Sequence, residues 1–173
     1  MTIEYFHASK FGNGARVAKD FQARMAARDV PVNVHHIDEA RPKQLPPADV
    51  YLFSSPGRMG KPIGSMRRFL KKVELPAGSR YAILTTEMPP RPDKKTGRMP
   101  TEQEVAKWQR VRPIMNEILQ GKGLVNVAED KVYVTGMRGP LEEGWQLKVE
   151  AFATRIASGR DATEPTGIES TRR

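Results

Sequence analysis

The feature that most constrains this chain is its regular exchange of two hydrophobic rhythms. Short β-rich runs alternate with segments whose apolar residues recur at helical spacing. Thr2-Ile3-Glu4-Tyr5-Phe6-His7 opens the chain and stops at Gly12-Asn13-Gly14. Val17, Phe21 and Met25 then recur every fourth residue, with Arg16, Lys19 and Arg24 between them, which predicts an amphipathic helix. Val32-Asn33-Val34-His35-His36-Ile37 alternates as a second strand. Val50-Tyr51-Leu52-Phe53 is nearly continuous in apolar character, as suits a central strand buried on both faces. Ser54 to Gly64 is rich in Pro and Gly and predicts a loop. Ile63, Met66, Phe69, Leu70 and Val73 predict the next helix, and Tyr81-Ala82-Ile83-Leu84-Thr85-Thr86 a fourth strand.

Beyond residue 87 the pattern continues after a long basic loop, residues 87–101. Val105, Trp108, Met115, Ile118 and Leu119 predict a helix kinked or restarted at Pro113, with Trp108 on its core face. Leu124-Val125-Asn126-Val127 and Lys131-Val132-Tyr133-Val134 predict a last strand or strand pair. Trp145, Val149, Phe152 and Ile156 predict the final helix. Strands alternating with helices imply a parallel sheet covered on both faces. The domain is expected over residues 1–158. Residues 159–173 hold one large apolar side chain, Ile168, and are expected to form a disordered tail.

A chain of 173 residues suits one core. It has no cysteine, so disulfides, thiolate nucleophiles and cysteine metal sites are excluded and any redox role needs a bound cofactor. No apolar run approaches the ~18 residues of a membrane span, and the N-terminus lacks a signal-peptide pattern, so a cytoplasmic location is expected. The formal charge of +9 favours anionic partners. His35-His36 is not a metal pair, because neighbouring strand positions face opposite ways and no third ligand accompanies them. No metal site and no catalytic triad is legible.

Two loops carry the functional signal. Ala8-Ser9-Lys10-Phe11-Gly12-Asn13-Gly14 joins a strand to a helix, at the edge where doubly wound sheets bind ligands. A hydroxyl, two glycines and a following helix N-terminus suit a phosphate. The segment Tyr5 to Gly14 resembles the phosphate loop of flavodoxins. Ser54-Ser55-Pro56-Gly57-Arg58-Met59-Gly60-Lys61 is similar to the flavin-flanking loop of tryptophan-repressor-binding-type quinone reductases and of menaquinone-dependent protoporphyrinogen oxidases. There an Arg-aromatic-Gly triplet precedes a helix like Ser65 to Lys72; here Met59 stands in place of the aromatic.

The resemblance implies a flavodoxin-like doubly wound α/β fold, a five-stranded parallel sheet in order 2-1-3-4-5, and FMN as cofactor. It implies FMN contacts from Ser9, Lys10, Phe11, Gly12, Asn13 and Gly14, from Ser55, Pro56, Gly57, Arg58, Met59 and Gly60, and from Thr86, Glu87 and Met88. Gly12 and Gly57 are expected as positions where backbone groups meet the cofactor. Three functions are open. The first is an electron carrier between redox partners, with an acidic partner protein favoured by the charge. The second is an FMN-dependent oxidoreductase acting on a quinone-like or anionic small molecule. The third is a flavin-free scaffold binding an anionic partner; nucleic acid is not the expected one. Arg58, Lys61, Arg67, Arg68, Lys71 and Lys72, with Arg91, Lys94, Lys95 and Arg98, are expected to contribute a basic rim.

Overall fold

The computed structural model describes residues 1–159; the rest of the expected tail lies outside the described residues. Five strands form one sheet: β1 (Ile3–His7), β2 (Val32–His36), β3 (Val50–Ser54), β6 (Arg80–Glu87) and β7 (Val125–Tyr133). Their spatial order is β2-β1-β3-β6-β7, and every pairing within the sheet is parallel. In sheet terms that is the expected 2-1-3-4-5. The helices are α1 (Asn13–Ala26), α2 (Gly64–Lys72), α3 (Glu102–Trp108), α4 (Val111–Gln120) and α5 (Trp145–Ala157).

The alternation of side chains along each strand divides the core in two. Ile3, Tyr5, Leu52 and Leu84 point to one face and meet Val17, Phe21 and Met25 of α1 and Val149 and Phe152 of α5. Phe6, Phe53, Tyr81 and Ile83 point to the other and meet Met66, Phe69 and Leu70 of α2 and Val111, Met115 and Leu119 of α4. Burial on both faces explains why β1 and β3 are buried along their whole length. Burying such a Leu, Phe or Met side chain stabilises by about 1.5–3 kcal/mol.

Of the two readings of the last segment, a strand or a strand pair, the single strand forms, with a register shift against β6 between Tyr81 and Ala82. Two local expectations change. The segment after β3 is not all loop: β4 (Gly57–Arg58) and β5 (Lys61–Pro62) pair as a small antiparallel hairpin. The helix expected around Pro113 is two helices, and the break falls at Gln109-Arg110, ahead of the proline. Pro113 sits in the first turn of α4, where its missing N–H costs nothing. The short helix α3 has its own start signal, Thr101 with Glu104 three residues on, and the Glu104 N–H donates to Thr101 Oγ1 (3.2 Å).

Candidate functional site

The C-terminal ends of β1, β3 and β6 place three connections along one edge of the sheet. The β1–α1 loop is held from both sides of Ser9. The Ser9 N–H donates to His7 Nδ1 (3.3 Å) and the Gly12 N–H to Ser9 Oγ (3.1 Å). The Asp38 N–H donates to His36 Nδ1 (3.1 Å), which leaves His36 Nε2 to donate to the Ser9 carbonyl (3.1 Å). Gly12 has φ of 91° and N-caps α1 without any side-chain cap, and α1 has no acidic residue in its first turn. The start of α1 therefore keeps its partial positive charge uncompensated, which suits an anion. Lys10 and Phe11 are exposed, and the Arg138 guanidinium lies 5.4 Å from the Phe11 ring centre. Burial pushes the His7 imidazole below its usual value, His36 nearby pushes it further, and Glu39 opposes both.

The β4–β5 hairpin forms the second wall. Ser55 is used internally: its Oγ donates to the Pro56 carbonyl (2.9 Å) and accepts from the Ile63 N–H (3.2 Å). Pro56 bridges to Thr86, and the Thr86 N–H donates to the Ser55 carbonyl (3.2 Å). At the hairpin tip Met59 has φ of 52° and is 92% exposed. Gly60, with φ of 73°, lies against the junction of α3 and α4: a Cβ there would sit 1.9 Å from the Trp108 carbonyl oxygen. The Arg110 N–H donates to the Gly60 carbonyl (2.7 Å). Gly57 plays a packing part, since a Cβ on it would come 2.8 Å from Val111 Cγ2.

The third connection starts from β6. Glu87 is buried and its carboxylate is taken by Thr85 and by Arg112 Nε (3.1 Å). Its side chain thus faces α4. Met88 emerges from the strand end into a cleft of about 650 Å³, within the ~300–1,000 Å³ span of small-molecule sites. Gly57, Met59 and Gly60 line one side; Met88, Trp108 and Gln109 line the other, with Met137 beside them. Arg91 and Arg98 stand on the rim, and Arg98 is paired with Glu104 at 3.1 and 3.2 Å.

The candidate residues thus separate into groups. Gly57, Met59, Gly60 and Met88 meet in the cleft. Arg58 lines a neighbouring groove. Ser9 to Gly14 stand apart at the β1–α1 turn and line neither cavity. Part of the expected basic rim is there, in Arg91 and Arg98. Trp108 corrects the sequence reading: it is 49% exposed and walls the cleft instead of the core. The Thr101–Glu104 capping pair was the available signal, because it detaches Trp108 from the helix that carries Met115 and Leu119.

No family model matches this sequence, and no curated protein matches it either. Solved structures do match. A flavodoxin from the domain Archaea superposes with a TM-score of 0.65 at 15% identity, covering 91% of this chain and 97% of that one. The chain has a flavodoxin-like fold. Flavodoxin 1 from Bacillus cereus agrees at a TM-score of 0.64 and 18% identity, over 91% and 98% of the two chains. Rubredoxin oxygen:oxidoreductase from Desulfovibrio gigas matches at 0.66 and 13% identity; 91% of this chain is covered, but only 35% of that much longer one. The flavodoxin-like chain thus corresponds to about a third of that protein and to nearly all of the two flavodoxins. Among the described residues no helix is long and apolar enough to cross a membrane, and no group of His, Asp and Glu could hold a metal ion.

Proposed function

We propose that this flavodoxin-like protein binds FMN and carries electrons between redox partners. The observation that carries the reading is the cleft between the hairpin and α3. Met59, Met88 and Trp108 offer soft, polarizable and aromatic walls at the sheet edge where a doubly wound fold takes its ligand. Trp108 supplies an aromatic beside Met59 and Met88, where the loops after β3 and β6 have none of their own. The residues fit the group at its other end as well. The uncapped start of α1, the Gly12 turn and the exposed Lys10 would hold the phosphate. When bound, FMN supplies the redox chemistry, while the protein binds it, orients it and sets its electrostatic surroundings.

The positive surroundings bear on the partner. Arg91 and Arg98 rim the cleft together with Asp93 and Glu104, Arg98 being paired with Glu104, and the exposed Lys94 and Lys95 leave the loop net positive. Such a field steers an acidic redox protein, so electron transfer slows as ionic strength rises.

Flavin content and an FMN titration test the reading. A yellow preparation, or quenching of Trp108 emission on adding FMN to colourless protein, is expected. A colourless protein that ignores added FMN refutes it and leaves the flavin-free scaffold. The oxidoreductase alternative is separated by NAD(P)H oxidation with menadione on flavin-loaded protein; turnover without a separate reductase makes the protein an enzyme.

A further inference from the structure

Beside the cleft lies a second groove of about 330 Å³, lined by Arg58, Lys61 and Arg67 together with Pro62 and Ile63. Met59 is the residue that lines both cavities. The groove concentrates positive charge with nothing to offset it. Arg58 and Lys61 are directly opposed across the β4–β5 ribbon, where like charges repel. Arg67, one turn into α2, has its Nε buried without a hydrogen-bond partner. Gly64 is the first residue of α2, and a Cβ on it would lie 3.3 Å from Arg68 Nη1 and 3.9 Å from Arg67 Nη2. Two guanidinium groups therefore fold back over the start of the helix.

That placement is electrostatically the wrong way round. A helix start carries about half a positive charge and is normally met by acidic side chains. Here α2 has neither a side-chain cap nor an acidic residue in its first turn. Among the described residues, Arg58, Lys61, Arg67 and Arg68 form no ion pair. Several other arginines of this fold are paired with carboxylates, Arg24 and Arg28 with Glu150, Arg112 with Glu87 and Arg155 with Asp130. Four unmatched cations around an uncapped helix start form a site for a multiply charged anion with tetrahedral oxygens, which forked guanidinium groups grip well.

We infer that the groove between the β4–β5 hairpin and the start of α2 binds the phosphoryl groups of a second phosphorylated small molecule, distinct from the cofactor phosphate at the β1–α1 turn. Through Met59 such a ligand touches the residue that walls the cleft, so the two occupants lie side by side. The groove stands on its own cations, whatever the neighbouring cleft holds.

Pyrophosphate titrated into the full chain by calorimetry tests this, in the wild type and in three variants. Saturable one-to-one binding is expected. Arg67→Gln and Lys61→Gln should each weaken it about tenfold or more, the loss of a charge-assisted contact. Lys19→Gln, on the exposed face of α1, should leave it unchanged. Lys61 is exposed, so its variant stays informative should Arg67→Gln fold poorly. FMN affinity, read by fluorescence in the Lys61→Gln protein, should not move, and citrate should compete poorly. The proposal is overturned if wild type binds no pyrophosphate or if all four proteins bind it alike. It is also overturned if citrate displaces pyrophosphate as well as pyrophosphate itself does, which makes the groove a general anion patch. A parallel loss of FMN affinity in Lys61→Gln would overturn it too, since the groove would then hold the flavin's own phosphate.

Discussion

Replacing Gly60 with alanine probes the contact on which the cleft depends. Gly60 is buried, has φ of 73°, and faces the Trp108 carbonyl so closely that a Cβ would sit 1.9 Å from it. The opposing atom is backbone and cannot rotate away. A left-handed conformation costs an L-residue about 1–2 kcal/mol. Movement of the tip also endangers the hydrogen bond from the Arg110 N–H to the Gly60 carbonyl, worth about 0.5–1.5 kcal/mol. Together these give about 1.5–3.5 kcal/mol before the steric overlap is relieved. For a domain of this size each kcal/mol lowers Tm by about 2–4 °C, so a fall of about 3–14 °C is expected. Relief requires the hairpin to part from the α3–α4 junction, which opens the cleft and changes the surroundings of Trp108. A Trp145→Phe background leaves Trp108 as the only tryptophan, and its emission should shift together with Tm. An unchanged Tm and an unchanged Trp108 spectrum in Gly60→Ala would refute the account of how the cleft is built.

Trp108→Ala should weaken FMN binding at least about fivefold in a fluorescence-independent titration while leaving Tm nearly unchanged, because the ring is half exposed; equal affinity removes Trp108 from the site. Arg112→Met should cost about 3–5 kcal/mol in urea unfolding, since it strands the buried Glu87 carboxylate beside Thr85, and a loss under about 1 kcal/mol contradicts that pairing. The lowered pKa of His7 means that the fold prefers the neutral ring and binds fewer protons there than the unfolded chain. Its stabilising contribution is therefore complete above the unfolded value of about 6.5 and declines as pH falls through that value towards the lowered one. The slope of unfolding free energy between about pH 7 and 5 should be smaller in His7→Gln than in wild type, and equal slopes would refute the assignment.

How much of this was legible beforehand differs by element. The continuous apolar run Val50–Phe53 announced a strand buried on both faces, and the four-residue recurrence of Val17, Phe21 and Met25 announced a helix against it. Such periodicities are local, and each is imposed by burial of one face or two. The strand order came with the resemblance of the Tyr5–Gly14 and Ser54–Lys61 segments and not from the periodicities. The cleft was half legible. Met59, Gly60 and Met88 lie in the strand-end loops where any doubly wound sheet would present them.

Trp108 was misjudged because its spacing to Met115 fits one continuous helix. The break at Gln109-Arg110 coincides with contacts remote in sequence, where Gly60 leaves no room for a Cβ beside the Trp108 carbonyl and its own carbonyl accepts the Arg110 N–H. The antiparallel hairpin was hidden for a related reason: two strands of two residues are too short to show an alternation. Likewise, composition established an excess of basic residues, but the β4–β5 hairpin brought Arg58 and Lys61 beside the start of α2, over which the Arg67 and Arg68 guanidiniums lie. The sequence alone therefore determined the layers and the parallel sheet, because burial periodicity is written residue by residue. Tertiary structure decided which side chains face one another across the sheet edge, because steric and hydrogen-bond contacts between distant segments leave no periodic trace in the chain.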